Sequence, residues 1–176
     1  MSSLKIPVRP EDHIEGDENA PCTLVEYGDY QCPHCGRAYP IVKHVQKHFG
    51  KRLRFVFRNF PLNEIHPQAE AAAETAEFAG TQGKYWEMHD ALFENQSRFS
   101  PPFFEDLAQK FGLDPLALRE ALVTEKQRAH VRSDFMSGAR SGVNGTPTFF
   151  INGDRHDGSW DYQDLVEAID AALASA

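Results

Sequence analysis

Cys32-Pro33-His34-Cys35 places two thiols two residues apart, with a proline where a helix would begin. Cysteines so spaced at a helix start can close a strained, reversible disulfide. Pro33 suits the first helical turn, where its missing N–H costs nothing. The first sulfur then faces unpaired backbone amides and the positive end of the helix dipole, both of which favour an anion. A thiolate held in that way is a nucleophile towards thiols and disulfides, and a good leaving group. The pair therefore points to redox chemistry. Zinc needs four ligands and no second Cys-x-x-Cys or close Cys/His pair supplies them, so no metal site is expected.

Working outward, Thr23-Leu24-Val25-Glu26-Tyr27 is a short run of strand formers closed by Gly28-Asp29. Helical spacing continues through Tyr39, Val42, Val45 and Phe49 to Gly50, with Pro40 placed to kink the helix. Leu53-Arg54-Phe55-Val56-Phe57-Arg58 alternates as a strand, with Leu53, Phe55 and Phe57 on one face. From Pro61 to about Gly142 the signals are helical. His66-Pro67 opens a run from Ala69 to Ala79, and Lys84 to Phe93 forms a second helix. Ser100-Pro101-Pro102 starts a third, ending at Gly112; Asp114-Pro115 starts a fourth, and Thr124 to Ala139 is a fifth. Far downstream, Gly145-Thr146-Pro147 leads into the strand Thr148-Phe149-Phe150-Ile151. Asn152-Gly153 then signals a tight turn to a partner strand around Arg155-His156. Asp161 is placed to cap a last helix that buries Leu165, Ile169 and Leu173. Residues 1–20 are polar and read as an extended lead-in.

With 176 residues, 41% hydrophobic and 25% charged, the chain is long enough for one domain with a substantial core. A net charge of −8 weighs against nucleic acid or anionic membrane as a main partner. No apolar run approaches the roughly 20 residues that span a bilayer, so no membrane insertion is expected. Met1 to Pro10 lacks the apolar core and cleavage site of a signal peptide, which as written places the chain in the cytoplasm. The same text also fits a mature exported form given a start Met.

The Cys32-Pro33-His34-Cys35 pair after a strand, Pro40 five residues beyond Cys35, and Thr146-Pro147 before a strand resemble the thioredoxin superfamily. The helical block between two halves of a small mixed sheet resembles, more closely, the DsbA-like thiol-disulfide oxidoreductases. The resemblance covers roughly residues 13–174. It implies an α/β thioredoxin fold made of residues 21–60 and 143–176, with a helical subdomain over 61–142 inserted between them. It also implies dithiol–disulfide exchange on protein or peptide thiols, a separate redox partner, and no cofactor beyond the Cys32–Cys35 couple. Pro147 is implied to be cis beside the disulfide, and Thr146 to pair through its backbone with substrate. The central Pro33-His34 dipeptide is that of DsbA, which implies an oxidant. The rivals are a cytoplasmic reductase or isomerase, and a non-catalytic binding or chaperone module.

Within that frame Cys32 is the expected nucleophile and Cys35 the resolving thiol. His34 either tunes the Cys32 thiolate by charge or hydrogen bonding, or is simply solvated. Glu26, in an otherwise apolar strand, is read as a partly buried carboxyl that shuttles the Cys35 proton; strand alternation could instead turn it to solvent. His44 and His48 share a helix face but lack a third ligand, and read as a solvated face. Cys22 reads as a small buried apolar residue or as a regulatory thiol. Tyr30 is expected to be exposed near the cysteines, and His66 to cap a helix.

Overall fold

The two runs of alternating, β-branched and aromatic residues around the cysteine pair form the central strands of the sheet. The computed structural model describes residues 2–176. Strand β2 (Cys22–Gly28) and strand β3 (Leu53–Asn59) lie parallel, with Leu24 opposite Phe55 and Glu26 opposite Phe57. Helix α1 (Pro33–Phe49) makes the crossover between them and runs without a break through Pro40. Strand β4 (Thr148–Ile151) joins β2 antiparallel, and strand β5 (Asp154–His156) follows it through the turn at Asn152 and Gly153, both at positive φ. A further strand, β1 (His13–Gly16), pairs antiparallel with β3 at the other edge, giving a five-stranded mixed sheet in the order β1-β3-β2-β4-β5.

β1 lies inside the segment read as a lead-in, and that segment is bound to the sheet. The guanidinium of Arg58 on β3 is fully buried. It donates to both carboxylate oxygens of Asp12 at 3.0 and 2.8 Å, to the carbonyls of Ile6 and Pro7, and to the Tyr27 hydroxyl. A buried charge is tolerated when it is paired and its donors are met, and Arg58 meets both conditions.

Five helices lie between β3 and β4: α2 (Ala69–Gly80), α3 (Tyr85–Glu94), α4 (Pro101–Lys110), α5 (Pro115–Val123) and α6 (Arg128–Arg140). Ser100 and Asp114 cap α4 and α5 by accepting from the amides of Phe103 and Leu116. Helix α6 begins four residues later than expected, because Glu125 sits at φ +53 in the connecting turn. Helix α7 (Tyr162–Ala174) buries Leu165 and Ile169, while Leu173 is only half-buried and the Asp161 side chain makes no capping bond.

The period of two along the strands divides the core. Leu24, Phe55, Phe57, Phe149 and Ile151 face α1, α7 and most of the helical block. Val25, Tyr27, Val56 and Phe150 face the opposite way, against Phe60, Val143, Phe135 of α6, and Leu4 and Val8 of the N-terminal segment. Phe55, Phe57 and Phe149 are at most 2% exposed, and each contributes roughly 1.5–3 kcal/mol through burial. The sheet is thus covered on both faces, and the ends of β2 and β4 meet the start of α1.

Candidate active site

Asp29, just after β2, organises the turn that presents the cysteines. One carboxylate oxygen accepts from the amides of Gln31 (2.7 Å) and Cys32 (3.2 Å). The other accepts from the Leu62 amide and bonds to His66 Nδ1 at 2.8 Å. His66 is therefore an anchor for Asp29; α2 starts three residues later, at Ala69, without a side-chain cap. A second clamp comes from Gln96, whose amide donates to the carbonyls of both Tyr30 and Cys32 at 2.9 Å. A Cβ at Gly36 would lie 2.1 Å from Gln96 Oε1, so glycine lets this side chain reach the loop. Sequence reasoning missed these roles. Asp29 carried one signal, since Asp commonly bonds amides two and three residues on; Gln96 carried none.

Cys32 occupies the N-cap position of α1, with Pro33 at the first helical position. In the dithiol form described here the Cys32 thiol donates to the Thr146 carbonyl at 3.7 Å. A hydrogen bond from the Cys35 thiol favours the Cys32 thiolate. Burial opposes it, but the backbone amides of Cys35 and His34 add further support. The result is a Cys32 pKa lowered to about 5. Cys35 is fully buried, and burial together with the Cys32 and Glu26 charges pushes its thiol well above the ordinary range. The two sulfurs are thereby made unlike: one is poised to ionise and one to stay protonated.

Glu26 lies beneath the pair, 3% exposed, between Phe57 on β3 and Phe149 on β4. Its Oε1 has no hydrogen-bond partner. Loss of water, then the Cys32 charge, raises its pKa to about 8. The His34 ring is exposed and accepts through Nδ1 from the Arg37 guanidinium, so this residue reaches Cys32 through its backbone N–H. The Thr146–Pro147 peptide bond is cis, and the Thr148 hydroxyl closes the approach by donating to the Gly145 carbonyl at 2.7 Å. Tyr30 is not exposed: it is 1% accessible, with its hydroxyl bonded to Tyr85 Oη and His89 Nδ1. Its ring is core, packed against Phe57 and Phe93. Cys22 is buried at the start of β2, and burial pushes its thiol up to about 11. His44 and His48 are exposed and flank Tyr162.

Residues 9–171 match the family described as Thioredoxin. The chain superposes on the oxidised crystal structure of BdbD from Bacillus subtilis with a TM-score of 0.88 and 27% identity, covering 98% of each chain. A thioredoxin-like oxidoreductase from Silicibacter pomeroyi gives a TM-score of 0.81 and 28% identity over 96% of this chain and 95% of that one. Among curated proteins, Na(+)/H(+) antiporter NhaA 1 of Salinispora arenicola is 43% identical over 174 residues, which is 98% of this chain and 26% of that protein. The chain thus spans about a quarter of the length of the curated relatives it matches. Among the described residues no helix is long and apolar enough to cross a membrane. With its cysteine pair at the start of α1, its Thr146-Pro147 segment beside it and five helices inserted into a mixed sheet, the chain belongs to the thioredoxin superfamily, with the DsbA-like thiol-disulfide oxidoreductases.

Proposed function

We propose that the protein oxidises thiols of proteins or peptides through the Cys32–Cys35 disulfide. The observation that carries this reading is the acidic Cys32 thiol beside a strongly basic Cys35 thiol. Stabilising a thiolate stabilises the reduced form, and that makes the disulfide a better oxidant. In the first step a substrate thiolate attacks Cys32 Sγ, the Cys32–Cys35 bond breaks, and Cys35 leaves with the electron pair. Glu26, protonated up to about pH 8, is the acid placed to supply the proton Cys35 takes. A second substrate thiol then attacks the substrate sulfur of the mixed disulfide and expels Cys32 as its stable thiolate. The substrate has lost two electrons, the protein has gained them, and a separate redox partner must remove them. No cofactor beyond the two thiols enters the exchange.

The Thr146 carbonyl beside Cys32 and the adjoining strand β4 suit a substrate held in extended form, by strand addition. The names of the curated relatives refer to ion transport. We assign that activity to the three-quarters of those proteins that this chain does not span, and thiol exchange to the segment it does. An oxidant needs a compartment that does not hold thiols reduced, so this reading goes with an exported location and not with the cytoplasm.

The test is the reduction potential of the couple, read by equilibration with glutathione. A value towards the about −120 mV of DsbA supports the oxidant; one near the about −270 mV of thioredoxin makes the protein a reductase.

A further inference from the structure

We propose that His13, Glu77 and His130 form a binding site for one divalent transition-metal ion, zinc being the best fit, with Asp134 at its edge. The four residues come from three elements. His13 is on β1, Glu77 on α2, and His130 and Asp134 stand four apart on one face of α6. The His13 ring stacks on Tyr85 at 3.5 Å between centroids, which aims Nε2 at Glu77 Oε2, 2.7 Å away. His130 Nε2 lies 3.4 Å from Glu77 Oε1 and 3.6 Å from Asp134 Oδ2.

Those last two separations decide the reading. They are long for hydrogen bonds between charged groups, and among the described residues His130 makes none. They are close to the roughly 3.3–3.4 Å that separates two ligand atoms bound tetrahedrally to one ion at about 2.0–2.1 Å. The ligand atoms of His13, Glu77 and His130 all lie within 4.8 Å of one another. Two imidazoles and one carboxylate, with water in the fourth position, are a donor set zinc accepts.

The surroundings supply the second argument. Glu77 and Asp134 are 4% and 1% exposed, and the single amide nitrogen of Asn59 donates to Glu77 Oε1 at 2.8 Å and Asp134 Oδ2 at 2.9 Å. The Asn59 backbone amide also donates to Asp134 Oδ2, at 3.0 Å. Donors that fix ligating carboxylates in this way are typical of the layer around a metal. Two carboxylates buried so close together repel, and Asp134 Oδ1 has no hydrogen bond, with the Arg9 guanidinium 3.9 Å away. A divalent cation compensates both charges. His130 is a quarter exposed and leaves a route inwards. The ion would fasten the N-terminal strand to the helical block.

The experiment titrates Zn²⁺ by calorimetry into the full chain carrying Cys32→Ser and Cys35→Ser, which removes the competing thiols, with Co²⁺ absorption as a second readout. The expected results are one ion per chain, visible bands of a four-coordinate Co²⁺ site, and a Tm rise of about 5–10 °C at a hundredfold excess of Zn²⁺ over its Kd. His130→Ala, which removes a partly exposed ring with no hydrogen bond, should fold normally and weaken binding at least tenfold. His44→Ala should leave binding unchanged. An absence of binding overturns the proposal and leaves the cluster as ion pairs. Binding that survives His130→Ala, or that is lost in His44→Ala, overturns it as well.

Discussion

Replacing Glu26 with glutamine separates the two things this side chain does. In the unfolded chain the carboxyl ionises near its ordinary value of 4.5; in the folded protein burial and the Cys32 charge hold it protonated to about pH 8. Folding between those values takes up a proton, so the Glu26 contribution to stability is most favourable below about 4.5 and declines as pH rises towards 8. At about 1.4 kcal/mol per pH unit, the penalty is on the order of 3 kcal/mol at pH 7. Glutamine carries no such proton. In urea denaturation of the reduced proteins, the stability difference between Glu26→Gln and wild type should move by about 2–3 kcal/mol in favour of glutamine from about pH 5 to pH 7. The same variant should open the Cys32–Cys35 disulfide more slowly, by about 100-fold, because the leaving Cys35 has lost its proton donor. A stability difference that does not change with pH would refute the reasoning, since it would mean that Glu26 ionises as freely in the fold as outside it.

Three further outcomes follow from the geometry. The ultraviolet band of the Cys32 thiolate should titrate near pH 5; the stability this depressed thiol lends the reduced protein is present above its ordinary value of 9.0 and lost as pH falls through about 5. Arg58→Met should cost about 3–5 kcal/mol in urea denaturation, because it leaves Asp12 buried and unpaired, and amide exchange should quicken first along β1. Gln96→Ala should cost about 1–3 kcal/mol by freeing the Tyr30 and Cys32 carbonyls, with denaturation as the check; an unchanged midpoint would mean the clamp carries no weight.

What was legible in the sequence was local. The alternation of Leu53, Phe55 and Phe57 specifies a face by its period of two, and the cysteine spacing fixes a helix start through Pro33. Ser100 and Asp114 announce their helices because capping depends on residues two and three positions away. The missed features depend on distant partners. His13-Ile14-Glu15-Gly16 is short and polar, and becomes a strand because β3 supplies its ladder and Arg58 anchors Asp12 nearby. His66 looks like a helix opener until Asp29, 37 positions earlier, takes up its ring nitrogen. Tyr30 looks accessible beside the cysteines until α3 covers it and supplies Tyr85 and His89. The turn at Glu125 that delays α6 has no glycine to mark it.

The most direct test of the account is to find where a substrate sulfur attaches. Cys35→Ser protein, incubated with a peptide disulfide and then digested without reductant, should carry the peptide on Cys32 in a mixed disulfide that dithiothreitol releases. An adduct on Cys22, or none at all while Cys32 is intact and reduced, would contradict the assignment of this site as a centre of thiol exchange.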